Sequence, residues 1–258
     1  MAALSRRGCN AAALLIVVTP GAFAVDEPAA TPYRPSVSTP ATLSAPGWLE
    51  AEFGVQRVEG GDGARRDSLP YTLKLAFTPD WGIRVGGDLH VTNTDIDGTR
   101  LSGVGDTALI LKRRIAVNDD AAFGIEAGVI AATAKNGLGI GHRAYSLNGI
   151  YSADLGSYHL DINVAPVRLG AVEAGQGRYQ TTWAGALSHA LSERWGVVGE
   201  LSGTRQAGVP GSAQFLLAAS YNASRRIVFD AGASWGLNRN SADWSLFGGV
   251  TILLGRVF

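Results

Sequence analysis

From Gly47 to the C-terminus the chain alternates apolar and polar side chains with period two, the spacing at which a β-strand sends successive residues to opposite faces. Leu69, Tyr71, Leu73, Leu75 and Phe77 share one parity, with Thr72, Lys74, Ala76 and Thr78 between them. The next stretch sets Trp81, Ile83, Val85, Leu89 and Val91 against Arg84, Asp88, His90 and Thr92. The alternation returns in Phe123/Ile125/Ala127/Val129, Tyr158/Leu160/Ile162/Val164, Phe215/Leu217/Ala219/Tyr221 and Ile227/Phe229/Ala231/Ala233/Trp235. Along the chain it predicts about 12 strands of roughly ten residues, the length of a tilted membrane-spanning strand. The spans are 47–59, 67–78, 81–93, 103–117, 121–134, 142–153, 158–169, 178–190, 195–205, 212–222, 226–236 and 243–258.

The connections add a second rhythm. Short ones fall at Pro79-Asp80, Asn118-Asp119-Asp120, Leu155-Gly156-Ser157, Ser192-Glu193 and Ala223-Ser224-Arg225. Longer, glycine-rich ones fall near 60–66, 94–102, 135–141, 170–177, 206–211 and 237–242. A membrane barrel makes tight turns at its periplasmic rim and long loops outside, whereas a soluble sandwich has no reason to alternate them. Aromatics mark the same rim: Trp81, Phe123, Tyr158 and Trp195 open strands after short turns, and Phe77, Tyr151 and Tyr221 close strands before them. The expected fold is therefore all-β, a transmembrane antiparallel β-barrel over 47–258 with both termini in the periplasm. Closure explains the architecture, because in lipid every backbone N–H and C=O must be paired internally.

Composition sharpens this picture. Of 258 residues 46% are hydrophobic, 17% are charged and 34 are glycine, which excludes a disordered chain. Equal numbers of acids and bases, 22 each, and a pI near 6.9 exclude a nucleic-acid partner. Beyond the N-terminus no apolar run approaches the ~18 residues of a helical membrane span.

That N-terminus reads as an export signal over 1–24. Arg6 and Arg7 precede the apolar run Ala11 to Val18, Pro20-Gly21 breaks it, and Ala22-Phe23-Ala24 is a small-residue cleavage site. The single cysteine, Cys9, leaves with the signal, so the mature chain has neither a disulfide nor a thiolate site. Residues 25–46 carry prolines at 28, 32, 35, 40 and 46, which predicts an extended, disordered periplasmic linker.

Candidate functional residues lie on the parity opposite the apolar one. In the first half these are Glu50, Glu52, Lys74, Arg84, Asp88, His90, Asp106, Lys112, Arg114 and Glu126. In the second they include Asn148, Asp161, Glu200, Asp230 and Phe247, on a smaller and partly apolar wall. Opposite charges on consecutive strands meet inside a barrel, either as an ion-pair network that fills the lumen or as a charged wall that guides polar solutes. One charged and one mixed apolar wall suit a small amphipathic solute. Phe258, ending a strand of apolar parity, is the terminal aromatic signal read by the barrel-assembly machinery. The expected partners are that machinery, outer-membrane lipids and a small-molecule solute.

Motifs for other chemistry are lacking. Gly103-Val104-Gly105-Asp106 has two glycines, lacks the third, and precedes a strand, so it is no dinucleotide site. His90, His142, His159 and His189 have no metal-ligand spacing, so no metal or cofactor is expected. Ser146 with His142 is the pair that a lipid-modifying enzyme would need, and a closed structural or adhesive barrel is a further alternative.

The stretch Gly103-Val104-Gly105-Asp106-Thr107-Ala108-Leu109-Ile110-Leu111-Lys112 resembles a strand of the outer-membrane barrel family assigned to the MetA pathway of phenol degradation. Leu75-Ala76-Phe77-Thr78-Pro79-Asp80-Trp81-Gly82 and Asp230 to Asn238 are similar to that family as well, so the resemblance covers nearly all of 47–258. Ala132-Thr133-Ala134-Lys135-Asn136-Gly137 departs from that family's Pro-Thr-Gly. The resemblance implies a passive outer-membrane channel or transporter for small, aromatic or apolar solutes.

Overall fold

Period-two segments become strands close to where the pattern places them. The computed structural model describes residues 27–61, 63–135 and 137–258, so the expected signal peptide lies outside the described residues. The strands are β1 (Trp48–Glu59), β2 (Arg65–Ala76), β3 (Trp81–Thr94), β4 (Arg100–Gly103), β5 (Thr107–Ala116), β6 (Ala121–Ala131) and β7 (Ala144–Leu155). They continue with β8 (Tyr158–Arg168), β9 (Tyr179–Ala190), β10 (Trp195–Gln206), β11 (Val209–Ser224), β12 (Ile227–Gly236) and β13 (Trp244–Arg256). All neighbours pair antiparallel, and pairing of β1 with both β2 and β13, together with β2 on β3, closes the sheet. Twelve strands go round the cylinder. The thirteenth, β4, is a short piece of the span expected at 103–117: it pairs with Val91–Thr94 of β3, while β5 pairs with Trp81–Gly87. The two pieces are separated by Val104–Asp106.

Burial runs opposite to that of a water-soluble protein. Leu109, Ile125, Leu147, Ile162, Leu201, Leu217 and Phe229 are exposed on the outside, whereas Glu50, Glu52, Lys74, Lys112, Glu126 and Glu200 are buried. Neighbouring strands contact their aromatics near the tight turns, with ring centroids 5.2 Å apart for Phe123–Tyr151 and 4.9 Å for Trp195–Tyr221.

Three expectations need correction. In β3 the register against β2 shifts between Ser68 and Pro70, so one residue is inserted and the parity beyond it flips. Val91, expected outside, is fully buried, and His90, expected in the lumen, is exposed beside Thr92 on the outer face, 3.3 Å from its hydroxyl. Pro70 cannot donate to a ladder, and pairing of β1 with β2 is interrupted there, opposite Gly54-Val55. Second, the long connection expected at 206–211 is a tight hairpin in which Gln206 pairs with Val209. Gly208 takes φ +74° there, a conformation that favours glycine. Third, residues 27–46 are not a disordered linker outside the barrel: they run through its lumen.

The outward belt makes a direct prediction. Leu217 is 51% exposed near the middle of β11. Leu217→Arg should lower the stability of the bilayer-inserted protein by about 2–4 kcal/mol, read as a shift in the urea unfolding midpoint. An unchanged midpoint would place Leu217 away from hydrocarbon.

Candidate functional site

The site begins with inward carboxylates that their own strands leave without enough partners. On the first half of the wall some pairing is local. Glu50 lies opposite Lys74 in the β1–β2 register, and Lys74 Nζ is 2.5 Å from Glu50 Oε1 and 2.5 Å from Glu52 Oε1. Glu126 pairs with Arg84 at 3.0 Å and with Lys112 at 3.5 Å. The Lys74 and Lys112 side chains retain 3% and 2% of their exposure, so the charges are removed from bulk water and must be compensated.

Further partners come from residues 27–46. The segment enters at the tight-turn end, where Glu27 pairs with Arg226 and the Ala30 amide donates to the Arg225 carbonyl at 2.7 Å. The Thr31 amide donates to Glu50 at 2.8 Å and the Tyr33 amide to Glu52 at 2.7 Å. Arg34 reaches across to Asp230 at 3.1 Å. The chain then crosses the lumen, where the Val37 and Ser38 amides donate to Glu200 at 3.2 and 2.8 Å. On the far wall the Thr39 amide donates to Asn163 at 3.0 Å and the Ala41 amide to Ser152 at 2.7 Å. It returns to the turn end, where the Gly47 amide donates to the Ala76 carbonyl as β1 begins. Most of these contacts use backbone amides of the segment, which a proline-rich chain with no ladder of its own leaves free.

Small residues on the wall make the room. A Cβ on Gly54 would lie 2.6 Å from the Arg34 guanidinium, and one on Gly124 would lie 3.2 Å from the Ala41 Cα. Open space remains on both sides of the segment. A cavity of about 520 Å³ at the turn end reaches Asp154, His159, Asp161 and Trp195. Another of about 370 Å³ on the loop side reaches Arg84, Glu126, Ser146 and Asn148. Tyr33 and Arg34 border both, so the segment divides the lumen.

The expected lumen residues fall into groups. Glu50, Glu52, Lys74, Arg84, Lys112, Glu126, Asn148, Glu200 and Asp230 surround the segment: Asn148 donates to Glu126 at 3.1 Å and to Asn163 at 3.0 Å. Asp161 accepts from Ser152 at 2.5 Å and lies 3.3 Å from His159. Phe247 packs against Ala186, Val198, Leu216 and Ala218, the apolar part of the wall. Asp88 pairs with Arg66 at 2.9 Å, and Arg114 sits at the turn end 4.0 Å from Asp80. Asp106 serves a loop: its carboxylate accepts the Ala134 amide at 3.0 Å and the Ile140 amide at 2.7 Å. His90 lies on the outer face, exposed beside Thr92. Phe258 is exposed just past β13, its carbonyl accepting from Arg256 at 2.7 Å. Ser146 and His142 are not brought together; Ser146 borders the lumen cavity, and His142 lies in a loop beside Gly170. Asn163, Ser152, Tyr33 and Arg34 were not among the expected site residues. A signal for Arg34 exists: Glu200 and Asp230 have no cation opposite them on adjacent strands, so their partners had to come from elsewhere.

Neither a protein-family model nor a curated protein matches the sequence. Solved structures do match the fold. A COG4313 outer-membrane channel from Pseudomonas putida F1 aligns over 83% of this chain and 98% of its own with a TM-score of 0.66 at 12% identity. The fold is that of an outer-membrane barrel. The KdgM porin aligns over 80% and 99% with a TM-score of 0.57 at 9% identity, and the NanC porin over 80% and 100% with 0.56 at 10%.

Within this barrel, removing one member of the buried ion cluster leaves the others uncompensated. Lys74→Ala should cost about 3–5 kcal/mol in urea unfolding, and adding Glu50→Gln and Glu52→Gln to it should recover most of the loss. Equal midpoints for Lys74→Ala and wild type would mean that water reaches these carboxylates.

Proposed function

We infer that the chain is an outer-membrane channel through which small, aromatic or apolar solutes pass down their gradient, of the MetA-pathway type that its Gly103–Lys112 stretch resembles. Residues 1–24 are its export signal, cleaved near Ala24, and Phe258 is its assembly signal. The observation that carries this reading is a closed cylinder with an apolar outer surface whose interior is divided by a hydrogen-bonded segment rather than by a packed hydrophobic core. Glu50, Glu52, Lys74, Arg84, Lys112 and Glu126 form the charged wall of the path, and Phe247 with its alanine and leucine neighbours forms the apolar wall.

Two features support apolar cargo. The lumen is already occupied at its charged level, which leaves little free bore for hydrated ions. On the outer wall, where the β1–β2 ladder is interrupted, a groove of about 700 Å³ brings together outward Val55, Leu69 and Leu246, the Arg57–Asp67 ion pair and His90 with Gln56, Ser68 and Phe247 of the inward parity. It offers an apolar solute contact with both faces of the wall.

Removing residues 27–46 tests the reading. The shortened barrel in a planar bilayer should show a several-fold larger unitary conductance than the full mature chain, and liposomes carrying it should take up phenolic solutes faster. Identical, negligible conductance of both proteins would favour the closed structural barrel instead.

A further inference from the structure

The outward face of β5 carries one side chain that an apolar belt does not explain. Leu109, Leu111 and Ile115 on that face are exposed, as are Phe123 and Ile125 on the neighbouring β6. Arg113 sits in the same row, opposite Trp81 of β3 on one side and Ile125 of β6 on the other. It is exposed, and its guanidinium carbon lies 5.1 Å from the centroid of the Trp81 ring. Among the described residues this guanidinium has neither an acidic partner nor a hydrogen bond. Asp80, next to Trp81 in the chain, faces Arg114 instead, at 4.0 Å. The same rim repeats the arrangement once, with a difference. Arg226 lies over Trp48, 4.9 Å from its ring centroid, and there Glu27 neutralises the guanidinium.

We propose that Arg113 and Trp81 form a binding site for the headgroup of an anionic phospholipid in the leaflet at the tight-turn end. The lipid phosphate takes the place beside Arg113 that Glu27 takes beside Arg226. A charge on the lipid-facing wall of a barrel is costly at the level of the hydrocarbon and nearly free at the interface, so it is stable where it reaches headgroups. Trp81 marks that height: it opens β3 directly after the turn, and indole rings prefer the headgroup level. The apolar stem of Arg113 can lie along the wall while its guanidinium reaches outward to phosphate oxygens, which accept from its planar fork of donors. The face of the Trp81 ring attracts the same cation and holds it at this position. Phosphatidylglycerol carries a phosphate with no cation of its own, whereas the phosphate of phosphatidylcholine already has the choline of the same headgroup. The site therefore favours the first. Leu111, Ile115, Phe123 and Ile125 supply the apolar wall along which its acyl chains lie. The inference concerns the outside of the barrel and holds whatever the lumen carries.

The test uses the mature chain refolded into phosphatidylcholine liposomes that contain phosphatidylglycerol brominated on its acyl chains, which quenches the fluorescence of nearby indoles. Subtracting the signal of Trp81→Phe from that of wild type isolates Trp81. Its quenching should report an association constant about fivefold higher for brominated phosphatidylglycerol than for brominated phosphatidylcholine, the gain expected of one arginine at a charged lipid surface. In Arg113→Gln, measured with and without Trp81→Phe, the ratio should fall to about one, with folding of each variant checked by circular dichroism. Equal constants for the two lipids in wild type overturn the proposal. A preference that survives Arg113→Gln also overturns it, because it would then belong to the rim as a whole. If Arg113→Gln does not fold, wild type in about 1 M salt takes its place: screening should at least halve the ratio, and a ratio that salt does not change overturns the proposal.

Discussion

A carboxylate turned into a narrow barrel has to find donors, and in this molecule that requirement shapes the interior. Glu50, Glu52, Glu200 and Asp230 all point inward and are all buried. Lys74 serves the first two, but the strands beside Glu200 and Asp230 offer serine, alanine, leucine and glycine. The missing donors are backbone amides and one arginine from residues 30–41. An ordered path through the lumen follows from the wall's unpaired acids and from a proline-punctuated chain rich in unpaired amides. A buried charge without compensation costs several kcal/mol, so each partner stabilises the other in this arrangement.

The outside obeys a complementary rule. Closure pairs the backbone of each of the twelve strands round the cylinder with two neighbours, and the outer face then needs only apolar side chains to match a lipid environment. The inward face tolerates glycine where the segment presses against it, as at Gly54 under Arg34 and Gly124 beside Ala41. These glycines would otherwise weaken strands. Their positions on the inner face, opposite contacts made by the lumenal segment, give them a packing role beyond sheet bending.

Much of the barrel was legible in the sequence because its signal is local. Parity in 69–77, 123–129 and 215–221 reports which side faces out, and the register preserves that parity across the strand pairs of 71–76, 123–129 and 215–221. Lys74 opposite Glu50 and Lys112 opposite Glu126 follow from the same counting. What failed was non-local. A single inserted residue beside Pro70 reversed the parity of His90 and Val91, and no property of those two residues announces it. The path of 27–46 depends on Glu200, Asn163 and Ser152, more than 100 positions away in the chain, so composition alone suggested a free linker. Asp106 was read as wall and is instead the anchor of the loop carrying Ala134 and Ile140, a role fixed by the break between β4 and β5.

Inward acids and amides of the wall hold the lumenal segment in place. Amide hydrogen–deuterium exchange of the mature protein in lipid bilayers measures this directly. Thr31, Tyr33, Ser38, Thr39 and Ala41, which donate to wall side chains, should exchange as slowly as amides of the strands. Exchange of all five at the rate of an unstructured peptide would contradict it.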